Sequence, residues 1–93
     1  MLSTEPIKLD KVSKLETDKE ILRLGMIAEL DAVSLYEQLA AMTKRKDIKI
    51  MLLDIAKEEK THIGEFQALL LRLDNQQAIE LENGKREVEE KTR

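Results

Sequence analysis

Glu58-Glu59-Lys60-Thr61-His62 holds the only histidine of a 93-residue chain, one helical turn beyond a carboxylate. Side chains three apart on an α-helix share a face, so Glu59 and His62 point the same way. The residues around them, Leu52, Ile55, Phe66, Leu69 and Leu73, recur at helical spacing on that same side, which sets a polar pair inside an apolar seam. A buried carboxylate and imidazole without partners are costly. The rest of the chain is therefore read for elements that supply those partners.

Ninety-three residues make one thin domain, because small domains bury a low fraction of their surface and lean on disulfides, metals or oligomerisation. No cysteine is present, which excludes disulfides and thiolate metal sites and leaves oxygen and imidazole as ligands. Hydrophobic residues make up 42% and charged residues 38%, with three Gly, one Pro, and Tyr36 and Phe66 as the only aromatics, a composition that favours helices over strands. The formal charge of −3, from 16 basic and 19 acidic residues, offers no basic excess for nucleic acid. No apolar run reads as a membrane span or a signal peptide.

Three segments follow. Residues 1–16 lack a sustained period and contain Pro6, and read as an N-terminal arm. Thr17-Asp18-Lys19-Glu20 has the capping-box pattern and predicts the start of a first helix. Its seam is Leu22, Met26, Glu29, Val33, Tyr36 and Ala40, with a second row of Leu24, Ile27, Leu30 and Leu35. Thr43-Lys44-Arg45-Lys46 places cations at that helix's end, and Asp47 reads as the cap of a second helix over about 48–73, closed by Asp74-Asn75. Such a short link favours antiparallel neighbours, so residues 17–75 form a helical hairpin with facing seams. Residues 76–93 read as a short third helix to 83, a break at Gly84 and a charged, mobile tail.

The hairpin levels three polar seam residues. Counted from Arg45, Glu29 lies about 16 residues back, and Glu59 and His62 about 14 and 17 forward, so at equal rise they share one height. Each motif alone has a plainer reading: Glu-x-x-His is common, a lone histidine on an apolar face is more often packed than ligating, and Glu29 by itself suits an ion pair. Together they make half a metal site. Di-iron and di-manganese carboxylate bundles use four Glu and two His, and a two-fold dimer of this hairpin carries that set as a four-helix bundle. Carboxylate and imidazole donors suit Fe, Mn or Zn. Tyr36, one heptad past Glu29, reads as core with a hydroxyl able to bond a ligand carboxylate. Met26, Met42 and Met51 read as packing, and Asp31, Glu37, Asp54, Glu58 and Glu65 as a solvated face. A competing reading is a non-catalytic oligomeric module whose Glu29, Glu59 and His62 form only a buried hydrogen-bonded network.

Ala28-Glu29-Leu30-Asp31-Ala32-Val33-Ser34-Leu35-Tyr36-Glu37-Gln38 followed by Glu58-Glu59-Lys60-Thr61-His62 resembles the encapsulated ferritins, two-helix members of the ferritin-like superfamily. The likeness covers about residues 18–75 and combines a Glu with a Tyr seven residues later, a Glu-x-x-His, and 30 residues between the two Glu positions. It implies an all-α ferritin-like four-helix bundle formed by dimerisation, further assembled into a decameric ring. It implies a di-iron ferroxidase centre shared between two chains, with Glu29 bridging the irons, Glu59 and His62 coordinating them, and all three as the catalytic residues. Tyr36 would stand behind the ligands and Asp31 on a metal entry route. The family oxidises Fe(II) to Fe(III) with dioxygen for iron storage inside an encapsulin shell, as free cargo or as a domain fused to the shell protein. The implied location is the cytoplasm, within that nanocompartment, with neither nucleic acid nor membrane as partner. This chain has Ala28 and Leu35 where relatives commonly carry an acid and a Trp. A rubrerythrin-like peroxidase is the rival enzyme, disfavoured by the absence of cysteines for a rubredoxin-type centre.

Overall fold

Thr43-Lys44-Arg45 is the only non-helical segment between the two long helices, α1 (Lys14–Met42) and α2 (Lys46–Leu73). The computed structural model of the chain describes residues 14–93; the expected arm therefore lies outside the described residues up to Ser13. Its last three residues are helical, so Thr17 sits within α1 and not at its cap. Lys, Leu and Glu are strong helix formers, and the Glu16–Lys19 ion pair, 3.2 Å, staples the first turns.

The turn departs from expectation in a second way. Arg45, in extended backbone, precedes α2 without a side-chain cap, and Asp47 falls inside the first turn. There it accepts from the Ile48 backbone N–H at 2.8 Å and takes two hydrogen bonds from the Arg45 guanidinium, at 3.1 and 2.7 Å. The last turn of α1 carries no cation; Lys44 and Arg45 lie beyond it.

The two helices are antiparallel. Cross-helix partners run Arg23–Asp74, Gly25–Phe66, Glu29–His62 and Glu37–Lys60, the numbers rising on α1 as they fall on α2 until long side chains splay the last pair. The α1 seam faces inward as its period predicts, with Leu22, Met26, Glu29, Val33 and Tyr36 half-buried and Ala40 buried. On α2 the buried residues are Ala56 and Leu70, whereas Leu69 and Leu73 of the expected seam are 46% and 38% exposed. A straight helix drifts by about 20° per heptad against a seven-residue repeat. The row Ala56, Ile63, Leu70 has turned toward α1, and Ile55, His62, Leu69 lies at its edge.

A single residue, Asp74, separates α2 from the third helix, α3 (Asn75–Lys91). Its carboxylate accepts from the Gln77 N–H at 3.0 Å, capping α3, and also from Arg23 of α1 at 3.1 Å. The expected break at Gly84 does not occur: α3 runs through it, and Lys85–Lys91 is helical. One interior glycine costs only about 1 kcal/mol against alanine; a hydrogen bond from Arg86 to Asn83 spans the position and one from Asn83 to Glu80 precedes it. α3 packs lightly on α2, and the molecule is flat, 47 × 43 × 18 Å. Among the described residues there is no strand, and no helix is long and apolar enough to cross a membrane.

Candidate metal centre

Glu29 comes from the middle of α1, and Glu59 and His62 from the middle of α2. Their donor atoms lie within 4.8 Å of one another, the one group among the described residues with the donors and spacing to hold a metal ion. The equal heights inferred from residue counting are therefore realised. The carboxylate side chains of Glu29 and Glu59 are each 19% exposed, and that of His62 is 45% exposed. The site is thus walled by the hairpin on one side and open on the other, where His62 lies.

His62 Nδ1 faces both acids. It is 3.3 Å from Glu59 Oε2, a hydrogen bond, and 3.4 Å from Glu29 Oε2, within ion-pair range but with no hydrogen bond closed. Glu29 Oε2 is buried with no hydrogen-bond partner. Burying an unsatisfied carboxylate oxygen costs free energy, so one that persists calls for a cation or proton to answer it. The hydrogen-bonded state places a proton on the His62 Nδ1–Glu59 line; a metal there takes up the same lone pairs and displaces that proton. Two carboxylates and one imidazole are a hard-to-borderline donor set, which fits iron, manganese or zinc.

Asp31 and Tyr36, also singled out from sequence, are half-buried on α1 but do not join the group. No hydrogen bond connects Tyr36 to Glu29, Glu59 or His62 within one chain. An exposed ion pair, Lys60 to Glu37 at 3.0 Å, ties α2 to α1 beside the site. Two contacts that join the helices escaped the sequence reading. Gly25 lies against the ring of Phe66, and Arg23 joins Glu20 to Asp74. A glycine inside an apolar helical run is the one signal that marked the first.

On the uncovered side, Ile21, Leu22, Leu69 and Leu73 line an apolar groove of about 290 Å³ with Asp18 and Arg72 at its edge. Ile21, Leu69 and Leu73 are exposed to the extent of 49%, 46% and 38% in the single chain.

The model of the rubrerythrin family matches residues 20–93. A ferritin-like–encapsulin shell fusion protein of Pyrococcus furiosus is 52% identical over 94 residues, spanning 99% of this chain and 27% of the relative. The encapsulin nanocompartment cargo protein EncC of Myxococcus xanthus is 40% identical over 65 residues, 67% of this chain and 50% of EncC. The chain thus spans half or less of the curated relatives it matches. Among solved structures, the crystal structure of the encapsulated ferritin domain from Pyrococcus furiosus superposes with a TM-score of 0.82 at 51% identity, covering 97% of this chain and 94% of that one.

Proposed function

This chain belongs to the encapsulated ferritins, within the rubrerythrin family, and on that premise we propose that it is a ferroxidase whose di-iron centre is completed only when two chains pair. The observation that carries the reading is the Glu29, Glu59, His62 group, with a buried Glu29 oxygen that no protein donor satisfies. Three ligand side chains are too few for two metals. A two-fold copy doubles them to four carboxylates and two imidazoles, the set that di-iron bundles use. The open side of the site, continued along α2 by the exposed Leu69 and Leu73, is where the partner's hairpin would close the bundle.

In this reading Glu29 would bridge the irons, and Glu59 and His62 would coordinate them. Two Fe(II) ions held there would together supply the two electrons that, with two protons from solvent, reduce one dioxygen to hydrogen peroxide, each ion becoming Fe(III). Glu29 and Glu59 supply negative charge whose attraction grows as the metal charge rises, so the protein favours the oxidised ion. His62 would offer its Nδ1 lone pair, the atom that faces both carboxylates. Apolar side chains above and below the cluster limit water and strengthen these electrostatic terms. Tyr36 restrains a ligand carboxylate once the partner is in place, and Asp31 draws cations toward Glu29. The names of the two curated relatives support a place in an encapsulin compartment, as cargo or fused domain, where the Fe(III) product is stored.

The test is Fe(II) oxidation under oxygen by the purified chain, with iron counted per dimer. Two irons per dimer and oxygen-dependent turnover are expected, and Glu59→Ala or His62→Ala should abolish turnover. A folded chain that takes up Fe(II) yet oxidises none of it would overturn the ferroxidase reading.

A further inference from the structure

Gly25 of α1 lies against the Phe66 ring of α2. A Cβ at this position would stand 2.8 Å from Cε1, 2.9 Å from Cζ and 3.0 Å from Cδ1, so one whole edge of the ring occupies the space a side chain would need. Carbon atoms in good van der Waals contact are about 3.5–4.0 Å apart. Gly64 and Gly84, by contrast, have nothing within 4 Å of such a Cβ. Glycine in a helix interior sacrifices about 1 kcal/mol against alanine. Of the three glycines, only Gly25 gains a contact in return.

The position of this contact ties it to the site. Gly25 is four residues before Glu29 and Phe66 four residues after His62, so on both helices it lies one turn, about 6 Å, from the ligand group. A spacer that close determines how far Glu29 on one helix stands from Glu59 and His62 on the other. We propose that Gly25 and Phe66 form a notch-and-ring spacer that holds α1 and α2 at the separation metal binding requires, making both positioning residues of the centre. The inference rests on the metal-binding reading of Glu29, Glu59 and His62 and adds what sets their distance. An alanine at 25 must move either the ring or the helix, and Phe66, half-buried with only two side-chain torsions, has few alternative positions. Widening the helices pulls one Glu from its partners while leaving the rest of the hairpin intact.

The experiment is calorimetric titration of the full chain with Mn(II) without oxygen, alongside thermal unfolding of the metal-free protein. Gly25→Ala should weaken Mn(II) binding by about tenfold, the lower end of what losing an outer supporting contact costs a metal site. Phe66→Leu should be folded, and the double variant Gly25→Ala/Phe66→Leu should bind as Phe66→Leu alone does, because the smaller side chain makes room for the new methyl. Gly64→Ala, a change into open space, should bind as wild type. If Gly25→Ala binds Mn(II) as wild type does while Glu59→Ala loses binding, the spacer is overturned and the metal site stands. If wild type and Glu59→Ala bind alike, the metal reading falls and takes the spacer with it. If Gly25→Ala loses binding only in proportion to a fall in its own thermal midpoint, and Phe66→Leu restores neither, the role is general stability and the proposal is overturned.

Discussion

Glu29 concentrates the site's tension in one atom. Its Oε2 is buried without a hydrogen bond and close to a second carboxylate, an arrangement that only a cation or a donated proton relieves. Glu29→Gln removes a negative charge and brings an amide N–H able to donate to Glu59. The metal-free chain should gain stability, on the order of 1 kcal/mol after allowing for partial exposure, while losing metal affinity; thermal unfolding with and without Mn(II) checks both signs. A rise in stability paired with unchanged affinity would exclude Glu29 as a ligand. At the other end of the hairpin, the Arg45 guanidinium, helped by the Ile48 N–H, holds the Asp47 carboxyl below its ordinary value of 3.8. A depressed aspartate stabilises the fold above its unfolded-state value and loses that contribution as pH falls through its folded one. Wild type and Asp47→Asn should therefore differ slightly at neutral pH and converge below about pH 3.8 in a series of thermal midpoints. The effect is small because both partners are exposed. The grouping of Glu29, Glu59 and His62 was legible in sequence because each interrupts an apolar row of known period, and counting from a short turn gives relative height. The Gly25 notch was not, since whether a missing Cβ is used depends on what the facing helix places there.

Each helix end shows which local signals decide structure and which only permit it. The Thr17 capping box was overridden because nothing downstream of Ser13 opposes helix, so the pattern sits idle within α1. Gly84 failed as a breaker because its cost is small beside the i,i+3 side-chain bonds around it. Gly84→Ala should accordingly lengthen the protected span of α3, gaining up to about 1 kcal/mol locally, with slower amide exchange over residues 80–90 as the readout. Asp74 is the stronger signal. It is the single residue between α2 and α3, capping α3 through one oxygen and binding Arg23 through the other. Asp74→Ala removes both and should cost about 1 kcal/mol from the cap alone, seen as faster exchange through the first turns of α3 while the α1–α2 hairpin keeps its protection. Arg23→Gln, which leaves the cap, should loosen the attachment of α3 less than Asp74→Ala does. Equal effects would mean that the cap contributes nothing.

At the scale of the molecule, burial divides α2 into two sides. Ala56, Ile63 and Leu70 pack inward, whereas His62 and Leu69 face the side that α1 leaves uncovered. Seven residues advance a helix by about 20° short of two full turns, so Leu69 lies almost directly beneath His62, and Leu53 lies about 180° around from it. If a second chain completes the metal centre, it must pass over His62 and so must bury Leu69. Covering one leucine is worth about 1.5–3 kcal/mol, and two-fold symmetry counts it twice. Leu69→Glu would replace that gain with a charge buried on each half of the interface. The variant should retain its helix content, run as a monomer by native mass, and lose Fe(II) oxidation although Glu29, Glu59 and His62 are untouched. Leu53→Glu, equally exposed in the single chain at 47%, should keep both the dimer and the oxidation. A monomeric Leu69→Glu variant that still oxidised Fe(II) would show that one hairpin suffices, and the thinness of a chain with so few fully buried side chains would then need another cause. Loss of the dimer with loss of turnover, in the variant on the His62 side alone, ties the incomplete ligand set and the uncovered apolar face to the same missing half.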